Sequence, residues 1–336
     1  MNIRTYDKPF KTHIELIEIM RSRNIEITDV EFTKRVLNSL SYYTIINGYK
    51  NSFLSVQGTD NFIIGTKFDD LYTLHLLDVN LNSIIFKNIL YIERTLKSRI
   101  AYIISSQYGV FTARDDLVNN NPDDYLCRNH YSRSSPRRNN ILRKIKGELN
   151  SNRISDSVAH YANTKNHIPA WILVTTIPFG LAINWYNILK VNDKSQVCKQ
   201  FIPSDIMEIQ DKKEFLKVSL DLLKEYRNKI AHGDRTFNVQ NLPILPKDQL
   251  ISLSDGLISL DEYDKNQGKN DLFAVIIVLY ILLDDRYILA NLLHDLIYIL
   301  EPHEKITING KTIFEIFGLP NNIFERLRIF LIQNYT

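Results

Sequence analysis

The chain has 336 residues, 44% of them hydrophobic and 24% charged, with only 11 glycines and 10 prolines, which excludes a disordered or collagenous protein and leaves enough apolar residues for a sizeable core. A net charge of +3 excludes a polycation, so any nucleic-acid contact must come from a local basic patch. Two distant cysteines, Cys127 and Cys198, a polar stretch at residues 1–10 that is no signal peptide, and a longest apolar run (272–283) too short for a bilayer together predict a cytoplasmic protein without membrane contact.

Residues 11–24 carry Ile14, Leu16, Ile17 and Ile19 among charges, the pattern of a short amphipathic helix. Thr28-Asp29-Val30-Glu31 reads as a cap with acids in the first turn of a second helix, which runs toward Leu40. Ser41-Tyr42-Tyr43 then leads into Asn47-Gly48-Tyr49-Lys50; the adjacent tyrosines either pack in the core or stack on bases. Residues 58–65 are a loop. From Phe68, apolar residues from Leu71 through Leu81, Ile92 and Leu96 to Ile100 recur every three or four positions, and no proline intervenes before Tyr108. This predicts one long helix, or two with a slight break, ending near Gly109. Glu93 and Arg94 on it are either solvated charges, or Glu93 pairs with Arg227 across the bundle.

Residues 128–153 hold the strongest charge bias. Arg128, Arg133, Arg137, Arg138, Arg143, Lys144, Lys146 and Arg153 face a single acid, Glu148, with His130 and Tyr131 interleaved. Such a patch suits RNA, its cations meeting phosphates and Tyr131 stacking on a base; the alternative is a surface loop with a basic helix face. Pro169 suits a helix start, and Trp171 and Trp185 read as core anchors. Residues 190–203 form a connection with at most a short helix, and 212–230 an amphipathic helix. Residues 241–270 are loop-rich, and 271–300 form one or two apolar helices. Asn309-Gly310 suits a hairpin turn, and 323–333 form a last amphipathic helix. The fold class is therefore all-α. Residues 1–240 are expected to form a helical core with a basic insertion near 128–153, and 241–336 a C-terminal helical extension.

The stretch Glu225-Tyr226-Arg227-Asn228-Lys229-Ile230-Ala231-His232-Gly233-Asp234 carries the chemistry. Asn228 and His232 are four apart and share a helix face. Arg227 and His232 are five apart and diverge by about 140° on a regular helix, a gap that the arginine side chain has the length to close. Gly233 reads as a helix stop. Imidazole gives and takes protons near neutral pH, and guanidinium grips two phosphate oxygens at once, which is what metal-free RNA cleavage requires. The same spacing also arises by chance, and a helix-terminal histidine is commonly only a cap. No phosphate loop, dinucleotide fingerprint, zinc spacing or nucleophile elbow occurs. The paired acids (Asp69-Asp70, Asp115-Asp116, Asp123-Asp124, Asp284-Asp285) are adjacent and point apart on a helix, so no metal or other cofactor is expected.

Several of these stretches in order resemble the bacterial abortive-infection Abi family of the AbiD/AbiF kind, of the HEPN superfamily. They are Pro9-Phe10-Lys11-Thr12, Leu40-Ser41-Tyr42-Tyr43 with Gly48-Tyr49, Gly65-Thr66-Lys67-Phe68, Asp78, Ile92-Glu93-Arg94, Tyr108-Gly109, Pro169-Ala170-Trp171, Phe179-Gly180-Leu181 and Arg227 to His232. Two places depart from the family pattern: Asp78-Val79-Asn80-Leu81-Asn82 lacks an arginine, and Gly233-Asp234-Arg235 lacks a second histidine. The resemblance implies a HEPN-type helical bundle and a phage-defence toxin that cleaves RNA without metal at a site pooled from two Arg-x4-His motifs, hence a homodimer. It also implies a structured non-coding RNA as a further partner. In that reading His232 is the general acid or base and Arg227 stabilises the phosphorane-like charge. Asn228 orients the histidine or the phosphate, and Glu93 holds Arg227. The alternative is a non-catalytic RNA-binding module of a defence or toxin–antitoxin system.

Overall fold

The structure, a computed structural model, describes residues 7–112, 120–150, 155–203 and 205–335. Its helices in chain order are α1 (His13–Ser22), α2 (Val30–Tyr42), α3 (Phe68–Tyr108), α4 (Arg138–Glu148), α5 (Asp156–Thr164), α6 (Ala170–Leu173), α7 (Phe179–Ile188) and α8 (Val191–Phe201). They continue with α9 (Ile209–Ala231), α10 (Lys247–Leu253), α11 (Leu260–Asp264), α12 (Leu272–Leu282), α13 (Arg286–Leu300), α14 (Ile313–Ile316) and α15 (Ile323–Tyr335). Only two-residue strands accompany them, so the fold is all-α, as the periodicity predicts.

Local sequence sets most of these boundaries. The Asp29 carboxylate accepts from Phe32 N–H at 2.9 Å and starts α2. Thr12 with Glu15, Ser259 with Glu262 and Thr312 with Glu315 form reciprocal capping boxes at α1, α11 and α14. The long apolar stripe is one unbroken helix, α3, and the chain turns out of it at Gly109, whose φ of +81° suits glycine. Thr307–Ile308 pairs antiparallel with Lys311–Thr312, and Asn309 and Gly310 (φ 52° and 72°) make the turn. Within residues 190–203 a short helix does form, the 11-residue α8, because Val197, Cys198 and Phe201 give it a buried face.

The residues group into two compact units. The first holds the described residues up to Ser83, Arg235–Phe237 and Asp295–Asn321. The second holds Ile84–Asp234, Asn238–His294 and the chain from Asn322. The boundary expected at residue 240 thus does not coincide with either unit. Much of the C-terminal segment packs in the same unit as Arg227. There α12 is buried on nearly every side, and Arg326 on α15 grips Glu262 through two hydrogen bonds of 2.9 and 2.8 Å. Trp185 is fully buried, whereas Trp171 is 49% exposed and is not a core anchor: it lies in α6, a single turn whose buried residues are Ala170 and Leu173.

At the centre of the second unit lies a buried polar network. Lys146 on α4 donates to Asp124 at 2.8 Å, and neither side chain has solvent exposure. Burial alone would raise the Asp124 carboxyl, but Lys146, Thr112 and the Leu126 N–H hold it below the ordinary range. Next to it the Tyr131 hydroxyl donates to the Tyr125 carbonyl at 3.0 Å and accepts from Trp185 Nε1 at 3.0 Å. Removing one partner of a fully buried pair leaves the other uncompensated, so Lys146→Ala should cost about 3–5 kcal/mol, read as a lower urea midpoint. Lys146→Met should cost as much while Asp124 remains, and Lys146→Met with Asp124→Leu should recover stability.

Candidate functional site

α9 is 23 residues long and buries Phe215, Leu216, Leu220, Leu222, Leu223 and Tyr226. Arg227, Asn228 and His232 lie at its last turn. His232 is the C-cap residue, its N–H bonded to Asn228 and Lys229 carbonyls, and Gly233 leaves the helix at φ +93°. The imidazole is exposed and Arg227 half-buried. The Arg227 guanidinium sits 5.4 Å over the Phe86 ring of α3, and its Nη1 donates to Asn228 Oδ1 at 3.1 Å. Its Nε is buried with no hydrogen-bond partner among the described residues. Asn228 therefore holds the arginine rather than the histidine.

Glu93 is buried on α3, but its Oε1 pairs with Lys97 one turn on, at 2.6 Å. Among the described residues no ion pair joins Glu93 to Arg227; the i, i+4 lysine satisfies the carboxylate within its own helix. Its Oε2 is buried without a hydrogen-bond partner. Glu93, Arg94, Lys97 and the exposed face of Trp171 line a cavity of about 390 Å³.

The chain just after this motif is held in the first unit by a second polar network. Asp78 is 4% exposed. Its carboxylate accepts from Tyr49 Oη at 2.8 Å and from the Thr236 N–H at 2.7 Å, and its carbonyl accepts from Thr236 Oγ1 at 3.1 Å. His75 Nδ1 lies 3.1 Å from the same tyrosine hydroxyl. Arg235 covers the Tyr49 ring at 4.7 Å and donates to the Thr44 carbonyl at 3.0 Å. That carbonyl sits in a π-helical turn, Tyr43–Asn47, which follows a kink at Ser41 (φ 59°); Ser41 Oγ caps this turn by accepting from Thr44 N–H at 3.3 Å. Gly48 has ordinary helical angles, yet a Cβ there would lie 2.1 Å from Arg235 Nη2, so it is glycine for space and not for conformation. Tyr43 is exposed, while Tyr42 takes a hydrogen bond of 2.9 Å from Arg23.

The basic segment splits into two kinds of residue. Arg133, Arg137, Arg143 and Lys144 are exposed, Arg128 and Arg138 are half-buried, and Arg153 lies outside the described residues. Two expected RNA contacts do not hold. Lys146 is spent on Asp124, and Tyr131 is 1% exposed with its hydroxyl committed on both sides. On α4, Lys144 and Lys146 are two positions apart and face opposite ways, which run-counting along the sequence does not reveal.

A family model described as Abi-like protein matches residues 35–238, more than half of the chain. The chain belongs to the Abi-like family. Membership points to a role in abortive-infection phage defence. No curated protein and no solved structure matches it. Among the described residues of this Abi-like protein, no helix is long and apolar enough to cross a membrane. The matched region contains Gly48, Tyr49, Asp78, Arg227, Asn228 and His232, and the network around Asp78 shows what the first three do: they hold the segment that follows His232. Sequence reasoning does not find Arg235 and Thr236 as members of this network, since nothing local marks this arginine and threonine as partners of an aspartate and a tyrosine far upstream.

Gly48→Ala in the Abi-like protein should therefore displace Arg235 and cost about 1–3 kcal/mol, seen as a lower urea midpoint with helical content kept. Burial and then Arg235 hold His75 below its ordinary value, Asp78 opposing. The unfolded chain takes up that proton near pH 6.5 and the folded chain only lower. Stability contributed by neutral His75 is thus present above about pH 6.5 and lost as pH falls. His75→Asn should flatten the decline of the urea midpoint below that pH.

Proposed function

We propose that this Abi-like protein is a metal-independent endoribonuclease of the HEPN kind and that it acts as the toxin of a phage-defence response. The observation that carries the proposal is Arg227. It is a half-buried cation with no carboxylate partner and a buried, unbonded Nε among the described residues, next to Asn228 and to an exposed imidazole at the same helix end. Buried donors are almost always satisfied, and a guanidinium left open in this way suits a phosphate.

In this reading His232 exchanges protons with the ribose 2′-hydroxyl or the leaving 5′-oxygen. The 2′-oxygen attacks phosphorus, the bond to the 5′-oxygen breaks, and the products are a 2′,3′-cyclic phosphate and a 5′-hydroxyl. Arg227 offsets the charge growing on the phosphate oxygens, with Asn228 fixing its Nη1. Glu93 lies two turns along α3 from Phe86, about 10 Å, and takes part through its free Oε2 rather than by an ion pair with Arg227. One chain supplies one Arg-x4-His motif, so a homodimer supplies the second acid–base group. The exposed cations of 128–144 position substrate RNA or a structured non-coding RNA that controls the toxin.

Labelled RNA incubated in EDTA tests this. Wild type should cut it to cyclic-phosphate ends, and Arg227→Ala with His232→Ala should lose at least about 100-fold in rate. Cutting that survives the double substitution, or that EDTA abolishes, sinks the mechanism. RNA retained by both proteins and cut by neither would instead favour a binding module without chemistry.

A further inference from the structure

The second unit contains a cationic cavity that the Arg227 site does not use. It has a volume of about 400 Å³ and lies where α7, α8 and α9 meet the start of the basic segment. Lys194 on α8 and Lys213 and Lys217 on α9 line it, together with the hydroxyl-bearing Ser132 and Ser134 and one acid, Glu214. None of the three lysines has a carboxylate partner among the described residues. Lys194 Nζ donates to the Asn187 carbonyl at 2.8 Å, which holds it in place without neutralising it. Burial, and then the nearby charges of Lys213 and Lys217, depress its pKa. Gathering like charges around a half-buried cavity is unfavourable in the free protein, and a bound anion would relieve it.

The surroundings indicate which anion. Arg133, exposed, sits between the two lining serines. The loop that carries them is fixed to the end of α7 by Ser132 N–H to the Ile188 carbonyl at 2.9 Å and by a bridge between Tyr131 and Leu189. The cavity thus borders the start of the basic segment, with Arg133 between two of its lining residues in the chain. On α9, Lys213, Lys217 and Lys224 fall within about 40° of one line along the helix, and Arg227 and Asn228 fall on either side of that line. Lys217 precedes Arg227 by ten residues, about 15 Å along the axis.

We infer that this cavity is a second phosphate subsite: Lys194, Lys213 and Lys217, with Ser132 and Ser134, bind a backbone or terminal phosphate of a single-stranded RNA lying along α9 toward Arg227. The subsite rests on the ribonuclease reading for the identity of the strand, but its binding can be measured apart from cleavage.

The test uses the full chain and a fluorescent 2′-O-methyl oligoribonucleotide, which cannot form the cyclic phosphate and so reports binding alone. Anisotropy titrations across salt concentrations would compare wild type with Lys213→Gln/Lys217→Gln and with the triple variant that adds Lys194→Gln, circular dichroism confirming their fold. The expected result is a roughly tenfold or greater drop in affinity in the double variant and a larger one in the triple. The salt slope should be shallower by about 0.7 for each phosphate that the variant no longer neutralises. Inorganic pyrophosphate should compete with the oligonucleotide on wild type and not on the triple variant. Unchanged affinity and slope in the folded variants would overturn the subsite, as would binding of wild type to vesicles of anionic lipid without binding to the oligonucleotide. If the subsite holds while wild type fails to cut unmodified RNA, only the ribonuclease reading falls; if wild type cuts but the lysine variants bind as before, only the subsite falls.

Discussion

The Asp78 carboxylate is buried in the first unit, and three donors from two distant stretches of chain converge on that residue. Tyr49 and Thr236 satisfy its oxygens, Thr236 also bonds its carbonyl, and Arg235 lies over the same tyrosine ring. Hydrogen bonds to a charged group contribute about 1.5–3 kcal/mol each, and an orphaned buried carboxylate costs more. Removing either donor therefore leaves one oxygen of a buried carboxylate without its partner. The segment it holds begins three residues after His232, so the chain that leaves α9 is fixed by packing far from the motif in sequence. The arrangement also explains Gly48, whose missing side chain makes room for Arg235, and the kinked π-turn, whose Thr44 carbonyl that arginine completes.

The second unit solves a different problem, that of displaying cations without giving up a fixed frame. Its basic segment is rooted by one lysine that is entirely internal. Lys146 and Asp124 pin α4 to the loop before it, and Tyr131 with Trp185 pins the same loop to α7. Arg133, Arg137, Arg143 and Lys144 face solvent from that base. A buried ion pair is weak evidence for net stability but strong evidence for a specified geometry, since breaking it costs far more than never having built it. Here that geometry places Ser132 and Ser134 over the lysines of α8 and α9.

Much of this is legible in the sequence. The 3.6-residue stripe from Leu71 to Ile100, the cap at Asp29, Gly109 and Gly233 as stops, and the Asn309-Gly310 turn all act through local chemistry, and each is where the pattern puts it. What is not legible depends on contacts between distant segments. Nothing in a run of arginines and lysines distinguishes Lys144 from Lys146; burial against Asp124 does. By type and neighbours Tyr131 reads as a stacking residue and Trp171 as a core residue. Their exposures are reversed because Tyr131 is buried against Trp185, while Trp171 sits on a single helical turn whose buried residues are Ala170 and Leu173. The pairing of Glu93 likewise turns on a competition that spacing alone leaves open, and the lysine one turn away on the same helix wins it.

That competition suggests a general way to read the charges of this molecule. A net charge of +3 conceals two populations. Lys97, Lys146, Lys224, Arg99 and Arg326 each have a carboxylate within their own unit, and their charge is consumed in structural pairs. Arg227, Lys194, Lys213 and Lys217 have none among the described residues, although Asp221, Glu225 and Glu214 lie close in sequence along α9. Lys224 takes both Asp221 and Glu225, at 3.2 and 3.1 Å, while Glu225, two positions before Arg227, faces the other way round the helix. The acids in the middle of α9 are thus engaged by Lys224 and do not meet Arg227. A structural pair and an open site are in that sense produced by one allocation of charge along a single helix.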